Sequence, residues 1–180
     1  IGMRLKQTFF YSAALLVSLT GCGGGGGGGG ETAGGAPAGG STATNAVTMA
    51  GAVIDGYIVG ATVCLDLNNN YACDVTEPSA VSGVDGAYTF EVTGDIPAGT
   101  QILADIPITA TDQDLGPIQK AYNMMAPHDN PEVVSPLTTL VSQEIVSSGG
   151  EITAEQAELS VKLALGIDSD TDLLGNDFIS

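Results

Sequence analysis

Residues 63–78 read VCLDLNNNYACDVTEP, and two different patterns meet inside them. Leading in, Val59, Ala61, Val63 and Leu65 alternate with Gly60, Thr62 and Cys64, the period-two signature of a half-buried strand. The strand then runs into Asp66, Asn68, Asn70, Asp74 and Glu77, at relative positions 1, 3, 5, 9 and 12, with Ala72 at position 7. A hard cation needs about six to eight oxygens, and side chains at this spacing let one short loop wrap them around it. Ala72 would contribute its backbone carbonyl, which asks nothing of the side chain. The set Asp66, Asn68, Asn70, Ala72, Asp74 and Glu77 is therefore expected to hold a structural Ca2+. The competing reading is a polar hairpin loop, because Asp and Asn also bond nearby backbone groups in plain turns. Position 6, where glycine usually makes the sharp turn, is Tyr71. No open coordination position or neighbouring base is evident, so the cation is expected to stiffen rather than catalyse.

Outward from this loop the chain alternates. Asp55-Gly56 marks a turn before the strand, and Ala80-Val81-Ser82 is a short strand after the loop. Asp85-Gly86 is the strongest hairpin dipeptide, and Tyr88, Phe90 and Val92 then share one face opposite Ala87, Thr89 and Glu91. Gln101 to Ile108 and Lys120 to Met125 are further strands, joined by the polar segment Asp112 to Pro117. Many short strands separated by Gly, Pro and Asp turns predict a small antiparallel β-sandwich over residues 46–130.

The period then changes, and residues 131–180 are expected to be helical. Ser135-Pro136 reads as an N-cap followed by proline at the first helical position, with Leu137, Leu140, Val141 and Ile145 as the apolar stripe. Gly149-Gly150 ends that helix. Thr153 with Gln156 forms a capping box for a second, in which Ala157, Val161 and Ala164 are flanked by Leu159 and Leu163 up to Gly166. The fold class is thus mainly β, a sandwich followed by a short C-terminal helical hairpin. Asp168, Asp170 and Asp172 imitate the start of a second cation loop, but position 12 would be Ile179. Without the closing acid, Asp172 reads as the N-cap of a following helix.

Charge sets further bounds. Four Lys and Arg stand against 21 Asp and Glu, a formal net charge of −17. Such a chain lacks the positive footprint that nucleic acid requires, and anionic lipid would repel it. At the N-terminus, Met3-Arg4-Leu5-Lys6 is a short basic region and Thr8 to Leu19 an apolar one, the order of an export signal. That run falls short of the roughly 20 residues a spanning helix needs. Residues 1–21 are read as the signal, and residues 22–45, with eight consecutive glycines, as a tether. A flexible chain of that length holds its ends roughly 25 Å apart. Leu19-Thr20-Gly21-Cys22 resembles the lipobox of bacterial lipoproteins, which implies lipidation of Cys22 and anchoring in a membrane. Gly23, in place of the Asp that retains such proteins at the inner membrane, implies the outer membrane, on its periplasmic or cell-surface face. Export favours disulfides, and Cys64 and Cys73 remain as an even pair expected to bridge.

Residues 52–90, AVIDGYIVGATVCLDLNNNYACDVTEPSAVSGVDGAYTF, resemble the B-repeat-like modules of serine-aspartate-repeat surface adhesins. More broadly they resemble prealbumin-like and carboxypeptidase-regulatory-like sandwiches. The shared features are the strand ending in LDLN, the loop closing on Glu77-Pro78, and the turn DGAYTF. The resemblance implies a prealbumin-like sandwich, with calcium on Asp66, Asn68, Asn70, Asp74 and Glu77. The chain is also similar to a group of bacterial lipoproteins in which such a module precedes segments like VVSPLTTLV and LGIDSDTDLL. More chain often follows in the larger relatives, so the sequence also reads as the anchoring portion of a longer exported enzyme or adhesin.

Catalytic motifs are few. His128 could be matched on paper with Ser135 and Asp129, but no nucleophile-elbow sequence accompanies them. The glycine run lacks the strand and the Lys-Ser/Thr of a phosphate cradle. The cysteines are too far apart for a CxxC redox pair. The expectation is a non-catalytic, calcium-stabilised exported module that meets a protein or glycan partner.

Overall fold

A computed structural model describes residues 46–179, which lie in one compact unit. The expected signal, Cys22 and the glycine-rich tether lie outside the described residues. Ten strands and two helices follow in order: β1 (Ala46–Val53), β2 (Ile58–Val59), β3 (Thr62–Asp66), β4 (Ser79–Val81), β5 (Ala87–Thr93), β6 (Gln101–Ile106), β7 (Thr111–Asp112), β8 (Gly116–Pro117), β9 (Tyr122–Pro127), β10 (Val133–Val134), α1 (Pro136–Ser147) and α2 (Ala154–Leu165). The chain is mainly β, a small sandwich followed by a helical hairpin. Among the described residues no helix is long and apolar enough to cross a membrane.

One layer is the sheet β10-β1-β5 and the other is β4-β3-β6-β9, with a small β2-β7-β8 sheet beside them. Pairing is antiparallel except between β1 and β10, where Ala52 sits opposite Val133 and Val53 opposite Val134. That parallel contact explains Gly51. A Cβ there would lie 2.0 Å from the Pro131 carbonyl oxygen, so the two backbones meet only over glycine.

The period-two patterns place the core. Val63 and Leu65 on β3, Ile102 and Ala104 on β6, and Met124 and Ala126 on β9 point inward. Opposite them stand Met49 and Val53 on β1 and Tyr88, Phe90 and Val92 on β5, with the Tyr88 and Phe90 rings stacked 5.9 Å apart. Each fully buried aliphatic side chain among these is worth roughly 1.5–3 kcal/mol. The alternate residues Cys64, Leu103 and Met125 face the other way, and they too are buried. Two elements cover them: the loop after β3, through Cys73, and helix α1, which lies against β9. Thr138 Oγ1 donates to the Met125 carbonyl at 2.8 Å and Met125 N donates to Thr139 Oγ1 at 2.9 Å. Those bonds fix α1 on the sheet.

Several sequence expectations need correction. The strand read from Val59 to Leu65 is two strands, because Gly60 takes φ +90 and turns the chain from the small sheet into the main one. Asp85 and Gly86 both have positive φ, as a tight two-residue turn requires. They do not join a paired hairpin, however; they carry the chain from β4 in one layer to β5 in the other. The segment from 131 begins as strand, since β10 completes the first sheet before α1 starts. The polar stretch 112–117 contributes to a small hairpin of its own, β7 with β8.

Both helix starts are as read: Ser135 with Thr138 and Thr153 with Gln156 form capping boxes, and Gly166 ends α2 in the left-handed conformation. The expected stripes are buried at Val141, Ile145, Ala157 and Val161, with Leu137 packed beside them, and differ at other positions. On α1 the buried residues are Thr138, Val141, Ser142 and Ile145, while Leu140 is 40% exposed. On α2 they are Ala154, Ala157, Glu158, Val161 and Lys162, while Leu159, Leu163 and Ala164 face outward. On α1, Thr138 takes a buried position because its hydroxyl bonds the Met125 carbonyl of β9. Leu173 and Leu174 return from the C-terminal segment to seal the two helices.

Candidate metal centre

Strand β3 delivers Asp66 to the loop as its last residue, with the side chain on the outer face of the sheet and only 1% exposed. A buried carboxylate needs partners, and the loop supplies them from its own backbone. Asn70 N donates to Asp66 Oδ1 at 3.1 Å and Tyr71 N donates to Oδ2 at 2.9 Å. The chain must therefore curl back over Asp66 at positions 5 and 6. It does so with Asn69 at φ +55 and Tyr71 at φ +62, both in the left-handed region. Tyr71 thus adopts the conformation for which glycine is usual at position 6. Asparagine tolerates it well, whereas tyrosine bears a local cost of roughly 1–2 kcal/mol.

Glu77 closes the loop from the other end and is 8% exposed. Its Oε1 accepts from Leu67 N at 2.8 Å and its Oε2 from Asp74 N at 3.0 Å. One carboxylate therefore ties the first and last turns together. Between them Asn68 Nδ2 and Asn70 Nδ2 both donate to Asp74 Oδ2, at 2.8 and 3.0 Å. Their own side-chain oxygens accept from Asn70 N and Ala72 N. All five expected side chains enter one hydrogen-bonded set, and exposed Ala72 lies within the same turn.

The disulfide joins Cys64 to Cys73, nine residues apart, with Cα atoms separated by 5.6 Å. Closing a loop of that size stabilises the fold by about 2–3 kcal/mol in the chain-entropy account. It also lays the middle of the loop over Leu103 and Met125. Sequence reasoning missed one fixing residue: Asn123 on β9, whose Nδ2 donates to the Tyr71 carbonyl at 3.0 Å. A sequence separation of 52 leaves no local signal.

The donor set is oxygen only, which suits calcium or magnesium and not zinc or copper. In the arrangement described, carboxylate oxygens of Asp66 and Glu77 are directed at backbone N–H groups and the asparagine nitrogens at Asp74. Among the described residues no group of three His, Cys, Asp or Glu side chains is gathered as a metal-holding cluster. Ligation would need the two amides to turn, exchanging nitrogen for oxygen at nearly the same shape.

The other acid-rich stretch is arranged differently. Asp168 Oδ1 accepts from Asp170 N at 3.1 Å, and Asp172 Oδ1 accepts from Leu174 N and Gly175 N at 2.9 and 3.0 Å. Asp172 caps a single turn; among the described residues no helix follows it. Ser135 Oγ accepts from Thr138 N at 3.2 Å in the α1 cap, whereas His128 Nδ1 sits 3.0 Å from the Thr100 carbonyl. Among the described residues no hydrogen bond links Ser135, His128 and Asp129. Comparison of the chain with family models, with curated proteins and with solved structures returns no match.

Proposed function

We propose that this protein is an exported, lipid-anchored, non-catalytic module in which the Asp66–Glu77 loop holds a structural Ca2+. The cation would stiffen one end of a sandwich of prealbumin-like type, which meets a protein or glycan partner at the outer membrane. The observation that carries the calcium reading is the Asp66 carboxylate drawing Asn70 N and Tyr71 N over itself, with Tyr71 in the left-handed region. A plain polar turn has no need to force tyrosine into that conformation, whereas a loop that must aim successive oxygens at one point does. The Asn68 and Asn70 amides both face Asp74 across the loop, so turning them would bring their oxygens beside that carboxylate. The Cys64–Cys73 bridge fits an oxidising compartment, and the basic-then-apolar N-terminus ending at Cys22 supplies the anchor. The runner-up reading, the anchoring portion of a longer exported enzyme or adhesin, draws on the outward-facing Leu159 and Leu163 of α2.

The test is thermal unfolding of the oxidised protein in millimolar calcium and then in chelator. Ligand at 100 times its dissociation constant adds about 2.7 kcal/mol, a rise on the order of 10 °C for a domain this size. Asp66→Asn should abolish the rise. Coincident curves with and without calcium in the parent protein would retire the calcium reading and leave a disulfide-held turn.

A further inference from the structure

The outer face of the β4-β3-β6-β9 sheet is covered twice, by the disulfide-held loop and by α1. Between them lies a groove of about 410 Å³. Leu103 and Met125 lie beneath it, almost fully buried, Tyr71 stands on the loop side at 47% exposure, and Gln143 and Ser147 stand on the α1 side, with Asn123 at the sheet edge. We propose that this groove binds a neutral saccharide.

The chemistry of the lining selects the class. No charged side chain lines the groove, in a chain with 21 acidic and 4 basic residues. An ionic ligand would find no counter-charge there, and an acidic sugar would also be repelled by the net charge of −17. What the groove does offer is a half-exposed aromatic ring and uncharged polar side chains with hydrogen-bonding capacity to spare. Asn123 Nδ2 is spent on the Tyr71 carbonyl, which leaves its Oδ1 free to accept. Gln143 and Ser147 make no side-chain hydrogen bond among the described residues. A saccharide ring has one C–H-rich face for the tyrosine and hydroxyls around its edge for amides and a serine.

A peptide is the weaker fit. An extended peptide binds by adding to a sheet edge, where backbone groups are unpaired. Here the floor is the face of the sheet, and β6 is already paired on both sides, with β3 and β9. Recognition therefore falls to side chains. The proposal rests on the calcium reading in one respect: the Tyr71 N–H is held by the Asp66 carboxylate, so ordering the loop also sets the backbone position from which the ring projects.

The experiment is a calorimetric titration of the full chain in calcium with neutral oligosaccharides of glucose, galactose, mannose and N-acetylglucosamine. An uncharged peptide and a uronic-acid oligomer run beside them. One neutral series should saturate, and Tyr71→Ala and Gln143→Ala should each weaken it about tenfold, the worth of one aromatic or amide contact. Gln143 is on an exposed helix position and Tyr71 on the loop, so a shared loss cannot come from one misfolded element. Tyr71→Gly separates the two readings, because it relaxes the backbone while deleting the ring. It should keep the calcium-induced thermal shift and lose the saccharide. No binding by any neutral series at millimolar concentration, unchanged affinity in both alanine variants, or binding of the peptide instead would overturn the proposal. A calcium shift without saccharide binding would overturn it while leaving the metal loop standing. Saccharide binding without a calcium shift would uphold the groove and retire the metal.

Discussion

Two stretches of this chain look alike on paper, DLNNNYACDVTE at 66–77 and DSDTD at 168–172, and they are held in order by opposite means. The first organises itself: Asp66 and Glu77 are buried and gather four backbone N–H groups from the loop. The second is organised from outside. Its three aspartates are exposed, and the segment is pinned by α2, where Glu158 Oε1 accepts from Leu173 N at 2.7 Å and Lys162 Nζ donates to the Ser169 carbonyl at 3.2 Å. Glu158 and Lys162 also pair with each other at 2.9 Å, both nearly buried. Spacing of acids thus becomes a candidate site only where a strand end and a closing acid turn the carboxylates inward.

The largest expected effect breaks the externally held stretch. Glu158→Ala leaves the Lys162 ammonium buried without its carboxylate and strips the Leu173 N–H of its acceptor. Loss of one partner from such a pair costs about 3–5 kcal/mol. Urea denaturation should report that loss, and Lys162→Met added to Glu158→Ala should recover a good part of it. An effect of the size usual for an exposed pair, below about 1 kcal/mol, would mean that the C-terminal segment is not pinned as described.

The self-organised stretch should respond next. Cys64→Ala with Cys73→Ala should lower stability by about 2–3 kcal/mol, again by urea denaturation. The calcium response sharpens the contrast, because a metal-held loop makes up part of that deficit on loading. If the disulfide-free protein gains no more from calcium than the parent does, bridge and cation act independently on the loop.

How much of this could be read from the residues follows from the range of the forces involved. The loop positions, the alternation of Tyr88, Phe90 and Val92, the caps at Ser135 and Thr153, and the stop at Gly166 all depend on neighbours within a turn or a strand. Those are legible. The orientation of α1 is not, because Thr138 and Thr139 are chosen by Met125, a residue on another element. The Asp85-Gly86 turn was legible as a turn but not as a crossing between layers, since its φ angles are local and its strand partners are not. Asn123 was invisible for the same reason. In the candidate site the acids announced themselves, whereas the left-handed tyrosine defied the local preference and emerged only from the bonds that hold it.

The smallest effects give the sharpest test of the comparison. Asp168→Ala and Asp170→Ala each remove an exposed carboxylate that does no more than accept within its own turn, and each should change stability by less than about 0.5 kcal/mol. Asp172→Ala should cost somewhat more, about 1 kcal/mol, because Asp172 caps two N–H groups beside buried Leu173 and Leu174. None of the three should alter the calcium-induced thermal shift, whereas Asp74→Ala in the first stretch should remove most of it. A variant at 168 or 170 that diminished the calcium response would show that the exposed aspartates also gather a cation, and the closing acid would no longer separate the two stretches.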